Sequence, residues 1–150
     1  MIDGHIRAFK ALSDETRLRI LLLVALKELC VCQIMAVLDV SQPLVSRNLA
    51  FLKEAGFLAS RRQKKLMFYR LRPDLGAVGL GFVREVLKDL AASDLAAEDR
   101  RSLAACQEFQ KATGRCDMKS FREFMRKKRQ QAGKAAAAGD VPRNRTAEAV

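Results

Sequence analysis

The sequence predicts a mainly α-helical chain carrying one small β-hairpin, and three observations support that reading. Apolar residues recur at helical spacing from the start of the chain to Gly56, two short strand-like runs follow around a basic turn, and helical spacing then resumes. At 150 residues and 49% hydrophobic, the chain can bury a core without disulfides, and its length suits one domain plus an extension.

Ile6, Phe9 and Leu12 share one face of a first helix, and "SDETRLRILLLVAL" opens a second with Ser13 or Asp14 as N-cap and acids in its first turn. "ELCV" is long enough only for a minor strand or a connection. Ile34, Val37 and Leu38 then mark a third helix. The fourth, "SQPLVSRNLAFLKEAG", is the best bounded: Ser41 caps it, Pro43 sits where a missing N–H is harmless, and Gly56 ends it. Strand-like runs at Phe57 to Ser60 and Leu66 to Leu71 flank a turn holding Arg61, Arg62, Lys64 and Lys65.

A helix drawn from "GAVGLGFVREVLKDLAAS" carries a wide stripe of Val78, Phe82, Val83, Val86, Leu87 and Leu90, which would be a large exposed patch unless it packs on another helix, a partner subunit's included. Two further helices follow, "AAEDRRSLAACQEFQKAT" and "DMKSFREFMRKKRQQ". Asp117 is placed to cap the second, and Phe121, Phe124 and Met125 form its apolar edge. The expected organisation is a main domain over 1–92, a helical extension over 93–131 and a disordered, low-complexity tail over 132–150.

Four helices, a hairpin and another helix form the order of a winged helix-turn-helix, whose third and fourth helices are joined here by the turn around "DVSQP". In the fourth helix Val45, Leu49 and Leu52 share a core-facing side, leaving Gln42, Ser46 and Arg47 on the exposed N-terminal side. Arg pairs with guanine, Gln with adenine, and Ser donates or accepts, so these residues can read bases. An ordinary amphipathic surface helix would show the same pattern. Charge placement favours the nucleic-acid reading: the chain carries a formal +11, and residues 41–72 hold eight Lys/Arg against one acid, Glu54. Like charges crowded at a hairpin tip repel, a cost that nearby phosphates would offset.

Cys30 and Cys32 stand one residue apart at the entrance to the third helix, where free N–H groups favour a thiolate. Taken alone they are as readily two small buried hydrophobes as ligands. Cys-x-Cys is not the Cys-x-x-Cys spacing of thioredoxin-like redox pairs, and no second Cys/His pair completes a structural zinc site. Cys106 is spaced with Leu103 and Phe109 as a core residue, whereas Cys116 follows a turn and is more reachable. His5 is the single histidine, which removes histidine-rich zinc sites and most hydrolytic arrangements. No phosphate loop, catalytic triad or carboxylate pair points to an enzyme. The N-terminus does not resemble a signal peptide and no apolar run is long enough to span a bilayer, so a cytoplasmic, thiol-reducing location without membrane contact is expected.

"FKALSDETRLRILLL", "ELCVC", "SQPLVSRNLAFLKEAGFL" and "RRQKKLMFYRL" resemble, in order and spacing over residues 5–73, the ArsR/SmtB family of metal-responsive repressors, and specifically its arsenical resistance type. The resemblance implies a homodimeric winged-helix repressor that holds double-stranded operator DNA, has no permanently bound cofactor, and lets go when trivalent arsenic or antimony binds. It assigns base reading to the helix with Gln42, Ser46 and Arg47, backbone contact to the wing with Arg61, Arg62, Lys64 and Lys65, and dimerisation to the first and post-wing helices. Cys30 and Cys32 become the inducer's thiolate ligands, with Cys116, and less readily Cys106, as remote candidates. The resembled repressors commonly carry a third cysteine where this chain has Met35. That leaves inorganic and monosubstituted arsenicals both open as inducers. Alternatives are a cysteine redox-sensing repressor and, with less support, a thiol oxidoreductase or metalloid carrier.

Overall fold

A computed structural model describes residues 2–138, in the order α1 (Ile2–Leu12), α2 (Glu15–Leu26), β1 (Leu29–Cys30), α3 (Val31–Leu38), α4 (Gln42–Glu54), β2 (Leu58–Gln63), β3 (Leu66–Leu71), α5 (Phe82–Leu90), α6 (Asp94–Thr113) and α7 (Met118–Ala137). This is a winged helix-turn-helix with a helical hairpin, α6–α7, added behind it. No helix among the described residues is long and apolar enough to cross a membrane.

Helix starts follow side-chain chemistry. Asp14 accepts from the Arg17 N–H at 2.9 Å to cap α2, Ser93 accepts from Ala96 N–H at 3.2 Å to cap α6, and Asp117 accepts from Ser120 N–H at 2.8 Å to cap α7. Ser41 stands at the N-cap of α4 with extended backbone, and Pro43 lies in the first turn. That helix stops at Glu54, and Gly56 just beyond it adopts φ 88°, a conformation that suits glycine.

Some boundaries differ from the sequence expectation. The post-wing helix begins only at Phe82, because Gly76, Gly79 and Gly81 disfavour a helix and the chain turns instead, tucking Leu75 and Leu80 into the core. Strand β2 extends to Gln63, so Arg61 and Arg62 belong to the strand and only Lys64 and Lys65 form the turn, with Lys64 at φ 56°. "ELCV" does yield a strand, but it joins the wing: the sheet order is β1-β3-β2, all antiparallel, with Leu29 opposite Tyr69 and Cys30 opposite Phe68. At the other end α7 runs past Gln131 to Ala137. Residues 132–137, expected to be disordered, are helical, since Ala135 to Ala137 are strong helix formers that offset Gly133. The remainder of the expected tail, 139–150, lies outside the described residues.

Helix α2 is the hub, touching α1, α3, α4, α5, α6 and β3. Its Ile20, Leu21 and Leu23 are fully buried, as are Ile34 and Val37 of α3 and Val45, Leu49 and Leu52 of α4. Burying each such side chain is worth about 1.5–3 kcal/mol, enough for α4 to be anchored from one face alone. Leu103 and Cys106 of α6 and Phe121 and Phe124 of α7 belong to the same core cluster, so the hairpin packs on α3 as part of one continuous core. Arg19 of α2 locks it there with a two-pronged bond to the buried Asp99 of α6, at 2.8 and 2.9 Å.

Helix α1 buries its small residues and leaves most of its larger apolar face uncovered. Ala8 and Ala11 pack inward, Leu12 is half-buried, and Ile6 and Phe9 stay exposed, Phe9 at 60%. Small alanines let α1 lie close to its neighbours while the larger apolar residues point away from the chain's own core.

Candidate functional site

Two surfaces carry chemistry, and α3 connects them. On the first, Gln42, Ser46 and Arg47 of α4 are exposed together, opposite the buried Val45, Leu49 and Leu52, as the periodicity indicates. Arg62, Lys64 and Lys65 are exposed at the wing. Arg61 is differently engaged: its guanidinium pairs with Glu28, lies 5.2 Å from the Phe68 ring centroid and donates to Gln63 Oε1 at 2.9 Å. Glu28 immediately precedes β1, so this arginine ties the wing to the strand leading to the cysteines.

The turn between α3 and α4 is supported from behind. Asp39, the C-cap of α3, sits at φ 54° and is gripped by Arg129 of α7, whose Nη2 donates to Oδ1 at 2.6 Å. That guanidinium holds the Asp39 carboxyl below its ordinary range despite some burial. The neighbouring Lys128 donates from Nζ to the Val37 carbonyl at 2.8 Å, and burial pushes its own pKa down. Elsewhere Arg17 closes the end of α1 through the Ala11 and Lys10 carbonyls, both at 2.8 Å, and stacks 4.7 Å from the centroid of Phe51 on α4.

The second is a set of mostly buried thiols near the N-terminus of α3. Cys30 is the N-cap, and its N–H donates to the Gln33 side chain at 3.0 Å; Gln33 in turn donates from Nε2 to Gln110 of α6 at 3.0 Å. Cys32 lies in the first turn, with Sγ 3.0 Å from Met118 Sδ of α7. Cys116, in the corner between α6 and α7, is half-buried against the same core. Cys106 is wholly buried nearby, and all four cysteines are free thiols. Cys106 thus belongs to, and Cys116 packs against, the same core cluster as Cys30 and Cys32.

Their electrostatics are unequal. The Cys30 S–H donates to Cys32, which lowers the Cys32 pKa against the opposing effect of burial and raises that of Cys30, with burial reinforcing the rise. Burial pushes Cys116 up to about 11 and Cys106 up to about 12. One thiolate, on Cys32 beside the helix N-terminus, is therefore the favoured ionised form of the cluster. Among the described residues no three Cys, His, Asp or Glu side chains are already gathered to hold a metal ion. An open cavity of about 460 Å³ lies beside Cys116, lined among others by Lys27, Lys111 and Arg115.

Gln33, Met118, Lys128, Arg129 and the Arg61–Glu28 pair were not foreseen from sequence, apart from Arg61 as a wing cation. Met35, which stands where the resembled repressors carry a thiol, is buried in the core.

Residues 14–60 match the family model described as bacterial regulatory protein, arsR family. The chain is 56% identical over 68 residues to an arsenic resistance transcriptional regulator of Pseudomonas putida, covering 45% of this chain and 59% of the relative. It is 53% identical over 73 residues to the arsenical resistance operon repressor of Escherichia coli, covering 48% and 62%. Both matches therefore span less than two thirds of the relative. A cadmium resistance transcriptional regulatory protein of Listeria innocua is 40% identical over 84 residues, covering 53% of this chain and 71% of the relative. Among solved structures, the homodimeric winged helix-turn-helix DNA-binding domain of a possible ArsR-family regulator from Mycobacterium bovis superposes with a TM-score of 0.51 at 30% identity, covering 61% of this chain and 84% of that one.

Proposed function

The chain belongs to the arsR family of bacterial regulatory proteins, and from that premise we propose that it is a homodimeric repressor of an arsenic resistance operon, released from its operator when trivalent arsenic or antimony binds Cys30 and Cys32. The observation that carries this reading is the position of the two thiols. They open α3, the helix whose far end turns directly into the exposed face of α4. A soft, thiophilic metalloid bridging the N-cap and first turn would shift the start of that helix.

In this reading Gln42, Ser46 and Arg47 read bases in the major groove, and Arg62, Lys64 and Lys65 contact phosphates. Arg61 contributes to the wing's charge while holding Glu28. Dimerisation is supported by the apolar residues that α1 leaves uncovered, Ile2, Ile6 and Phe9, which continue into α5 through the contact of Phe9 with Phe82 at 5.4 Å between ring centroids. The relatives are transcriptional regulators, and the inducer's ligands here are side chains of this chain, so no resident cofactor is required.

The test is a labelled-promoter binding assay on the full chain, titrated with arsenite, antimonite, a monosubstituted arsenical, zinc and peroxide. Release by the trivalent metalloids, lost in Cys30→Ser and in Cys32→Ser with operator affinity retained, is the expected result. If both variants still respond to arsenicals, the thiols are core residues and the reading fails. Release by peroxide alone would favour the redox-sensing alternative.

A further inference from the structure

We propose that the C-terminal hairpin completes the inducer site, with Cys116 at the α6–α7 corner supplying the third thiolate to a trivalent metalloid held by Cys30 and Cys32. This rests on the reading of Cys30 and Cys32 as inducer ligands. Trivalent arsenic and antimony form three bonds, and a Cys-x-Cys pair supplies two. The third position keeps a hydroxide or takes an external thiol unless the protein supplies a donor that faces the N-terminus of α3.

Three groups face it. Met118 Sδ is already 3.0 Å from Cys32 Sγ, but a thioether is neutral and cannot replace hydroxide on arsenic. Cys106 is on a helix and fully buried, so a metalloid entering from solvent meets it last. Cys116 lies two residues before Met118, whose Sδ meets Cys32 at the start of α3, and it is half-buried beside the open cavity. Its backbone is also placed with precision: Gly114 caps the end of α6 at φ 63° and Asp117 caps the start of α7, so both helix ends bracket the cysteine within four residues. The Gln33–Gln110 bond and the Met118 contact hold this corner over α3.

The thiols are not gathered around a common centre before binding, so the site forms on ligation. Each step exchanges one As–O bond for one As–S bond, the thiol proton leaving with the hydroxide as water. Three exchanges convert As(OH)3 into a tris-thiolate with release of three waters, and arsenic stays trivalent throughout. Closure draws Cys116 inward and the α6–α7 corner with it.

The decisive measurement is arsenic-edge X-ray absorption on the full chain loaded with arsenite, alongside arsenite and phenylarsenite titrations of the operator complex. Wild type should show three sulfur neighbours. Cys116→Ser should show two sulfurs and one oxygen and weaken arsenite binding at least about tenfold, while phenylarsenite, which needs only two thiolates, should act within about twofold of wild type. Cys106→Ser should retain three sulfurs. Retained operator binding without arsenical confirms that each variant is folded. Three sulfurs in Cys116→Ser, or only two in the wild type, would overturn the assignment while leaving the role of Cys30 and Cys32 intact. Loss of that role is a separate result: phenylarsenite would then release Cys30→Ser and Cys32→Ser as readily as wild type, and the proposal would fall with it.

Discussion

Cys32 and Cys106 carry the same functional group pushed in opposite directions, and neighbours make the difference. Cys32 receives a hydrogen bond from Cys30 at a helix N-terminus, whereas Cys106 is buried on all sides. Between the ordinary thiol value of 9.0 and about 12, the unfolded chain has lost the Cys106 proton and the folded chain keeps it. The folded state then binds more protons, so this thiol's contribution to stability is intact below that window and lost as pH rises through it. Cys106→Ala should therefore show a smaller drop in urea midpoint than wild type between about pH 8 and about pH 11. On the DNA-facing side, Arg47→Ala should cost about 1–3 kcal/mol and relax sequence discrimination, while neutralising Lys64 and Lys65 should weaken binding to every sequence and reduce the salt slope by up to about two units. Operator titrations at several salt concentrations separate the two; unchanged discrimination in Arg47→Ala would show that another face reads the bases. The exposure of Gln42, Ser46 and Arg47 was legible because it follows a local 3.6-residue period on α4. The engagement of Arg61 with Glu28 was not, because it depends on β1 joining the sheet, which two residues of sequence do not announce.

At the scale of elements, α7 holds both ends of α3. Met118 meets Cys32 at the start, and Lys128 and Arg129 meet Val37 and Asp39 at the finish. A hydrogen bond from a charged donor to a half-buried carbonyl is worth about 1.5–3 kcal/mol, whereas an exposed ion pair such as Arg129–Asp39 is screened by solvent and adds little. Truncation after Gln131 keeps both cations, so folding, dimerisation and operator binding should persist. Lys128→Met combined with Arg129→Ala should lower both the urea midpoint and operator affinity, since the turn into α4 loses its support. Equal behaviour of this double variant and wild type would show the turn to be self-sufficient. The helices themselves were readable from caps and spacing. Their mutual placement was not: the residue pairs that seat the hairpin are separated by 77, 86 and 91 positions, and no periodicity reaches that far.

For the molecule as a whole, the uncovered face of α1 has a direct test. Phe9→Glu should leave the chain's own core untouched, since Ala8 and Ala11 do the packing, yet yield a monomer with weakened operator affinity, measurable by sedimentation and promoter titration. A dimer of wild-type strength would place the interface elsewhere. The fold class was readable because its signals are local, whereas the packing of Cys106 and Cys116 into the same core as Cys30 and Cys32 emerges only when the hairpin closes over α3. One detail of the sheet links these regions differently. Cys30 sits opposite Phe68 in a strand of two residues, so the backbone of the proposed ligand is itself the outermost rung of the wing. A two-rung ladder can part without unfolding anything larger. The amide protons of Leu29, Cys30 and Tyr69 are therefore a built-in gauge: if ligation pulls Cys30 away from β3, their exchange with solvent accelerates while that of the β2–β3 rungs stays slow, and the wing is set free in orientation with its own hairpin still intact.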